Sequence, residues 1–359
     1  MEARALNASD IHLTVGAPTV VRVNGELRKF GELSDMVVNR TILSILSADQ
    51  EKLLTEGNDI DFSFELENGA RQRVNVFRQS GRLACCIRLL NNKIPTLEEL
   101  KMPPVLTELA QKRRGLILVT GPTGSGKSTT LYAALGEISK PNNNVITVED
   151  PVEKKIDGVN QCQINEKAGM TFGAALRSIL RQDPDIVMVG EMRDTETAEI
   201  AIRAAITGHL VLSTLHTNDA ASTVTRLVDM GVEAYMVATS LIGIVAQRLT
   251  KVLCPECKKP RMSTEEENEL MGLDHSVQVY DPCGCPKCNN TGYKGRTAIH
   301  EILLATPSMQ ALITRGAKAD EIQELAKKEG CHLLRDNVSE LVQQGKTSMD
   351  ELIRVTYAV

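Results

Sequence analysis

The segment GLILVTGPTGSGKSTTLYAALGEI, residues 115–138, decides the fold. It begins with an apolar run typical of a buried strand and ends with a pattern typical of a helix. Between the two, residues 121–128 match G-x-x-x-x-G-K-[ST], in which backbone N–H groups form an anion site at the start of the helix. This context predicts a loop that binds a nucleoside triphosphate. The alternative is an ordinary glycine-rich turn ahead of a helix.

Each part of this loop has an expected role. The glycines at 121, 124 and 126 are expected to let the backbone approach the phosphates, while Lys127 reaches the β and γ phosphates and the Ser128 hydroxyl holds Mg²⁺. The predicted nucleotide-binding residues are Gly121, Pro122, Thr123, Gly124, Ser125, Gly126, Lys127, Ser128 and Thr129.

The chain after Gly115 alternates between short apolar runs and helical patterns. The runs include NVITVED, DIVMVGE and HLVLSTL, and helical patterns separate them. Such alternation predicts an α/β fold with a mostly parallel sheet covered on both faces. Ligands of these folds bind beyond the carboxyl ends of the strands.

The regions on either side of this α/β segment show different sequence patterns. Residues 10–90 show short alternating runs typical of strands, with a helix predicted at 38–57, which indicates an α+β unit. The proline-containing segment 94–104 is interpreted as a linker with a boundary near Lys101, and the tail after Thr297 is predicted to be helical, beginning with IHEILLA. The predicted organisation is an N-terminal domain (1–98), a linker (99–108), an ATPase core (109–250), a zinc-binding subdomain (251–296) and a C-terminal helical subdomain (297–359).

Hydrolysis of the γ-phosphate requires a carboxylate that orients water and helps handle its proton. Glu191 follows the apolar run IVMVG, and Glu149, Asp150 and Glu153 follow NVITV. Because both runs are predicted strands of the sheet that carries the phosphate loop, their carboxylates should share its edge. We predict Glu191 as the catalytic base, with Glu149 and Asp150 serving Mg²⁺ and water.

Two histidines flank the predicted strand LVLSTL. His216 follows the strand and should emerge at the edge that carries Glu191 and the phosphate loop, where a polar contact to nucleotide or to a neighbouring subunit is expected. His209 precedes the strand and is expected at the opposite end, with a structural role as the alternative to a functional one. About 20 Å of strand would separate them, so the two histidines cannot share one metal.

Length and charge limit the function classes. The 359 residues are 42% apolar, enough for two or three packed units. The net charge of -5, the absence of Trp and only five Tyr and five Phe argue against a dedicated nucleic-acid binder. The longest apolar stretch, 235–246, is too short to span a bilayer, and the first residues lack a secretory signal, so a cytoplasmic location is expected.

Nine cysteines are expected to be reduced in the cytosol unless they bind metal. Cys254 and Cys257 form one C-x-x-C knuckle, and Cys285 and Cys288 form a second. Two such knuckles predict a four-cysteine Zn²⁺ site that is structural, because four thiolates leave no open position for water. The alternative is a set of free thiols, with Cys283 as a spare ligand. The thiols predicted to be small core residues are Cys85, Cys86, Cys162 and Cys331.

Taken together, these motifs resemble the ATPases of type II secretion and type IV pilus assembly. GPTGSGKSTTLY is similar to their Walker A loop, ITVEDPVE to their Asp box, LRQDPDIVMVGEMRD to their Walker B segment and TGHLVLSTLHTND to their His box. SDIHL and VRVNGEL resemble the amino-terminal domain of the family. The resemblance therefore covers nearly the whole chain.

The resemblance implies a RecA-like P-loop ATPase domain, a smaller PAS-like amino-terminal domain, ATP as substrate and a homohexameric ring. It implies a peripheral location at the inner face of the cytoplasmic membrane, docked on an inner-membrane platform protein, where domain rotation drives pilin or pseudopilin into a filament. It also points to Arg73, Arg78 and Arg88 as residues that neutralise charge on the γ-phosphate; Arg193 is a further candidate. The alternative for each is a solvated strand residue.

The branch within the family follows from the cysteines. CPEC, CPKC and GYKGRTAIHEIL resemble the assembly and secretion branch, whereas the retraction branch lacks the knuckles. We therefore expect extension, with a retraction ATPase as the alternative. The longest members carry an extra amino-terminal domain before the equivalent of SDIHL, which leaves open the partner of such a domain. Two readings from other classes are a RecA-like nucleic-acid translocase and a nucleotide-gated scaffold without turnover.

Overall fold

The computed structural model describes residues 2–6, 8–23, 26–66, 71–89, 94–139 and 142–357. The chain divides into two compact units. The first comprises Met1–Ile94 together with Glu153–Lys155, and the second comprises Pro95–Val152 and Ile156–Val359.

The first unit is a six-stranded antiparallel sheet with helices, which confirms the predicted α+β class. Its elements are α1 (Glu2–Ala5), β1 (Ala8–Thr14), β2 (Thr19–Val23), β3 (Glu26–Gly31), α2 (Asp35–Ser44), α3 (Ala48–Thr55), β4 (Ile60–Glu65), β5 (Arg71–Gln79) and β6 (Arg82–Leu89). The strands lie in the order β3-β2-β1-β6-β5-β4. Val74 and Val76 of β5 are fully buried and pack with Val38 and Ile42 of α2 in one core.

The single helix predicted at 38–57 is two helices. Helix α2 ends at Ser44, and α3 begins after Ser47, whose side chain accepts from the Gln50 N–H while the Gln50 side chain accepts from the Ser47 N–H. This reciprocal capping satisfies backbone donors that a continuous helix would have bonded itself. The apolar periodicity continues through the break, so periodicity alone did not reveal it.

The second unit contains the remaining elements. They are α4 (Pro104–Ala110), β7 (Gly115–Thr120), α5 (Lys127–Ile138), β8 (Val145–Glu149), β9 (Val159–Gln163), α6 (Phe172–Ile179), β10 (Ile186–Val189), α7 (Thr195–Thr207), β11 (Leu210–Leu215), α8 (Ala220–Asp229), α9 (Ala234–Ser240), β12 (Leu241–Leu253), β13 (Lys259–Met262), α10 (Glu265–Met271), β14 (Gln278–Asp281), β15 (Tyr293–Leu304), α11 (Pro307–Thr314), α12 (Ala319–Lys328), α13 (Leu334–Gln343) and α14 (Met349–Tyr357).

A seven-stranded sheet organises this unit, in the order β15-β12-β7-β11-β10-β8-β9. All its pairs are parallel except β12 with β15, which confirms the predicted α/β class. Every residue of β7 and of β11 is buried, as expected for central strands covered on both faces. The carboxyl ends of β7, β8, β10 and β11 therefore meet at one edge, here called the phosphate edge.

The helix predicted for IHEILLA, residues 299–305, is wrong. Residues 299–304 belong to β15, which pairs with the long strand β12 from Gly243↔Leu304 to Leu253↔Tyr293. Three consecutive residues, Ile299, His300 and Glu301, are buried, because both faces of the strand are covered. Burial on both faces removes the alternation that identifies a strand and leaves an apolar spacing that is compatible with a helix.

The segment interpreted as a linker carries buried side chains in the second unit. Leu97 and Met102 are buried, the Leu97 N–H donates to the Glu137 side chain at 3.2 Å, and α4 begins at Pro104. The domain boundaries given above stay predictions. Among the helices of the described residues, none has both the length and the apolar character required to cross a bilayer.

Glu301 of β15 ties two helices to the sheet. Its side chain is 4% exposed; one oxygen accepts the Ala220 N–H at 2.9 Å, and the other accepts the Leu334 N–H at 3.2 Å. These N–H groups are the first of α8 and of α13, where helix dipoles favour a negative charge. Burial nevertheless raises the pKa of this carboxyl group above its ordinary value.

Candidate active site

The phosphate loop joins β7 to α5 and requires glycine at two of its positions. Gly121 has φ 144°, and a Cβ there would lie 2.4 Å from the main-chain oxygen of Gln247. Gly126 has φ 91° and would place a Cβ 2.8 Å from Gln247 Nε2. A side chain at position 121 would therefore clash with the backbone of β12, and one at position 126 would displace the Gln247 side chain and strain the left-handed backbone.

Gln247, which the sequence analysis did not single out, supports the loop. Its side chain is buried; Nε2 donates to the Ser125 carbonyl at 2.7 Å, and Oε1 accepts from the Thr130 hydroxyl at 2.8 Å. One amide thus connects the loop to the first turn of α5. No local motif indicates this contact, because Gln247 is more than a hundred residues away along the chain.

Lys127 is the first residue of α5, and its side chain folds back over the loop. Nζ donates to the carbonyls of Gly121 at 2.9 Å and Pro122 at 3.0 Å. Burial lowers the pKa of this lysine, the negative charge of Glu191 opposes that shift, and the positive charge of Arg248 adds to it. Ser128 and Thr129 follow, both half-buried.

Glu191 lies just beyond β10, as predicted, and is held between two side chains. Arg193 Nη2 lies 2.5 Å from one carboxylate oxygen, and His216 Nε2 lies 3.6 Å from the other. The charges of Glu191 and Lys127 both act on the pKa of His216, so the structure brings these three residues together. Burial and the nearby Lys127 charge lower the pKa of His216, which favours its neutral form.

The turn that carries Glu191 is fixed by hydroxyl groups of β11. Ser213 donates to the Val189 carbonyl and Thr214 to the Gly190 carbonyl, each at 2.7 Å, while the Met192 N–H donates to the Thr214 carbonyl at 3.1 Å. Sequence reasoning missed both hydroxyl groups. The available signal was the placement of Ser and Thr inside an otherwise apolar central strand, where a hydroxyl needs a partner.

Glu149, at the end of β8, is buried in a network of donors. Its oxygens accept from the hydroxyl groups of Tyr132 and Thr147, the latter at 2.5 Å, and from the Gln161 amide at 3.1 Å. Asp150 is exposed beside it, and its charge contributes to the raised pKa of Arg193, whose largest cause is the hydrogen bond to Glu191. Glu153 belongs to the first unit.

His209 lies immediately before β11. Its Nδ1 is 3.0 Å from the Ala204 carbonyl of α7. The structure therefore places His209 at the amino end of the strand and His216 at the carboxyl end.

The three candidate arginines lie in the first unit, and each has a partner there. Arg73 bonds Asp61 through two nitrogens, the closer at 3.0 Å, and this hydrogen bond raises the pKa of Arg73. Arg88 Nε donates to Asp10 at 2.9 Å, and Arg78 donates to the Gly81 carbonyl at 3.3 Å.

The two cysteine knuckles form one cluster. The Sγ atoms of Cys254, Cys257, Cys285 and Cys288 all lie within 4.8 Å of one another, with separations of 3.9, 3.8 and 3.7 Å for the pairs 254–285, 257–288 and 285–288. A tetrahedral ion with Zn–S bonds of about 2.3 Å requires sulfur atoms about 3.8 Å apart. The donor set and its spacing therefore fit zinc.

Backbone groups support this cluster. The N–H groups of Cys285 and Gly292 point at Cys288 Sγ, at 3.2 and 3.3 Å. Cys283 is exposed and does not belong to the group. Of the single thiols, Cys85 is buried, while Cys86, Cys162 and Cys331 are partly exposed.

The phosphate loop follows β7, and Glu191 follows β10, which lies two strands away in a parallel sheet covered by helices. This arrangement defines the class of P-loop ATPases. The family and the ATPase relatives reported next identify the chain as an ATP hydrolase.

Residues 1–354 match the family described as "Type II/IV secretion system protein", and the chain belongs to this family. It is 42% identical to type II secretion system protein E of Aeromonas hydrophila over 99% of this chain and 74% of that protein. It is 39% identical to the type IV pilus assembly ATPase PilB of Thermus thermophilus over 99% of this chain and 42% of that protein. The crystal structure of the pilus retraction motor PilT with bound ADP aligns with a TM-score of 0.79 at 33% identity, covering 99% of this chain and 94% of that one.

Proposed function

We propose that this ATPase uses ATP hydrolysis to drive assembly of a type IV pilus or a type II secretion pseudopilus. The observation that carries the proposal is the meeting of Lys127, Glu191 and His216 at one sheet edge, in a chain whose relatives act in these machines.

The residues of the phosphate edge suit an attack of water on the γ-phosphate. The loop N–H groups and Lys127 bind the triphosphate, and Lys127 exchanges its loop carbonyls for phosphate oxygens. Glu191 accepts a proton from the attacking water, while Arg193 and neutral His216 fix the orientation of its carboxylate. Mg²⁺, held by Ser128, would neutralise phosphate charge. Glu149 and Asp150 complete the acidic side of the site.

The motor itself is proposed on the family resemblance. It is a homohexamer at the inner face of the cytoplasmic membrane, docked on an inner-membrane platform protein. Arg73, Arg78 and Arg88 act there on the γ-phosphate after exchanging their present partners. Zn²⁺ in the four-cysteine cluster serves a structural role, since its four thiolates complete a tetrahedral shell.

Extension is favoured over retraction by two observations. The relatives named for secretion or pilus assembly are 39% and 42% identical to this chain, against 33% for the retraction motor. The family resemblance also assigns the paired cysteine knuckles to the assembly and secretion branch, which supports extension. A nucleic-acid translocase is disfavoured by the net charge of -5.

Replacement of Glu191 by Gln tests the proposed chemistry. ATP binding should persist because the loop is unchanged, while the hydrolysis rate should fall by about two to four orders of magnitude, the range expected for loss of a general base. Glu199→Gln is the matched control, because Glu199 is a partly exposed residue of α7 paired with Arg203. Hydrolysis by Glu191→Gln near the parent rate would overturn the assignment, and so would an equal loss in the control.

A further inference from the structure

Strand β12 extends past the phosphate edge and carries a buried arginine there. Ala246 pairs with Thr120, the last residue of β7, so Gln247 and Arg248 stand where the phosphate loop begins. Successive side chains of a strand point to opposite faces. Gln247 supports the loop from one side, which places Arg248 on the other side.

Arg248 is anchored to the loop that carries His216. Its Nη2 donates to the Asn218 side-chain oxygen at 2.9 Å and approaches the Asn218 carbonyl at 3.4 Å. Asn218 follows His216 by two residues, and His216 contacts Glu191. The guanidinium group is therefore held against the segment that carries His216, on a strand that passes beside the phosphate loop.

The charge of Arg248 is poorly compensated. The residue is 7% exposed, its buried Nε has no hydrogen-bond partner, and no ion pair joins it to a carboxylate in the described part of the chain. Burial and then the positive charge of Arg354 lower the pKa of Arg248, and only the charge of Asp219 opposes them. Arg354 is itself paired with Glu351.

Burial of an unpaired cation is costly unless an anion neutralises it. A second buried cation, Lys127, lies close enough for the charge of Arg248 to lower its pKa. This arrangement is expected where a polyanion binds.

We propose that Arg248 is a phosphate-binding residue of the ATP site, supplied by the same chain: its guanidinium group, oriented by Asn218, contacts the terminal phosphate of bound ATP. This inference rests on the proposed function, because it requires ATP as the ligand. Unlike an arginine with a purely structural role, Arg248 in this role favours the binding of ATP over that of ADP.

The test uses the full chain carrying Glu191→Gln, so that ATP is bound without being consumed. Dissociation constants for ATP and ADP with Mg²⁺ are measured by calorimetry for this parent and for Arg248→Gln, Arg248→Lys and Asn218→Ala in the same background. Arg315→Gln is the control, because Arg315 is exposed and pairs with Glu321 in the C-terminal helices.

Arg248→Gln should weaken ATP binding by about ten- to a hundredfold, the equivalent of one charge-assisted hydrogen bond, and ADP binding by less than about threefold. Arg248→Lys and Asn218→Ala should show smaller losses of the same selectivity, and Arg315→Gln none. Without nucleotide, Arg248→Gln should melt at or above the parent temperature, because a buried unpaired charge is removed.

The assignment of Arg248 would be overturned if Arg248→Gln weakened ATP and ADP binding equally or left ATP affinity unchanged. It would also be overturned if Arg248→Gln melted at a lower temperature while Arg248→Lys and Asn218→Ala showed no selective loss of ATP binding. Failure of the parent itself to bind ATP would instead overturn the proposed function.

Discussion

The phosphate edge and the four-cysteine cluster are both polar sites of the second unit, yet they are assembled in opposite ways. The cluster draws its ligands from two short knuckles, and backbone N–H groups of the same segment support them. The phosphate edge collects side chains from the ends of four strands, β7, β8, β10 and β11, and from the middle of β12, which are separated along the chain. The cluster is complete once its ion binds, whereas the edge depends on the whole sheet. Local sequence therefore defines the first, and tertiary packing defines the second.

Removal of one cysteine ligand should cause the largest loss of stability, because the cluster is complete only with four thiolates. Cys254→Ser or Cys288→Ser leaves three thiolates, and loss of a structural metal is expected to lower the free energy of unfolding by more than about 4 kcal/mol. Metal analysis should fall from about one zinc ion per chain towards none, and calorimetry should show a lower melting temperature. Cys283→Ser, outside the group, is the control. Unchanged stability with zinc lost would mean that the cluster is not structural.

The second prediction concerns His300 of β15, the strand that runs from the cluster to a position opposite Gln247. Burial lowers the pKa of His300 from 6.5 to about 4. Below pH 6.5 the unfolded chain therefore binds a proton that the folded chain does not, so stability falls with pH until about pH 4. The loss at this site amounts to about 2 kcal/mol at pH 5 and about 3 kcal/mol at pH 4.

Urea unfolding of the parent and of His300→Gln between pH 7 and pH 5 measures this loss. The variant should lose less stability on acidification, whatever its stability at pH 7. Parallel curves for the two proteins would show that His300 is not held neutral by burial.

Gln247→Leu tests whether the phosphate loop depends on a tertiary contact to β12. The substitution leaves the Ser125 carbonyl and the Thr130 hydroxyl without their partner, at a cost of about 2 kcal/mol. ATP affinity should fall as well, because the loop loses its contact to β12. Gln344→Leu, at an exposed position, is the control for the same change in side chain. Full ATP affinity in Gln247→Leu would show that the loop holds its shape without β12.

The smallest expected effect is that of Thr214→Val. It removes the hydroxyl group that bonds the Gly190 carbonyl, with an expected cost of about 1 kcal/mol and a reduced turnover, because the turn before Glu191 loses its support. Thr214→Ser retains the hydroxyl and should restore turnover in steady-state assays. Equal turnover in the Val and Ser variants would show that this bond does not position Glu191.

Much of the architecture could be predicted from sequence because, like the four-cysteine cluster, it depends on short segments of the chain. The phosphate loop, the strands before Glu149 and Glu191, and the paired knuckles are short segments whose chemistry is local. Sequence reasoning failed for β15, because a strand buried on both faces has no alternation, and for the break at Ser47, because a capping box interrupts an apolar pattern that continues through it. It also missed Gln247 and Arg248, since only the pairing of β12 with β7 brings them to the phosphate edge.

Glu301 couples two helices that begin near the sheet. One buried carboxylate is shared by the first N–H groups of α8 and α13, and α8 begins directly after the segment that holds His216 and Asn218. Hydrogen bonds tolerate changes of only about 0.5 Å. A larger shift of the start of α8 would therefore move α13 as well or leave the Glu301 carboxylate with one of its two donors. The shared carboxylate would thereby couple a displacement of α8 to the C-terminal helices.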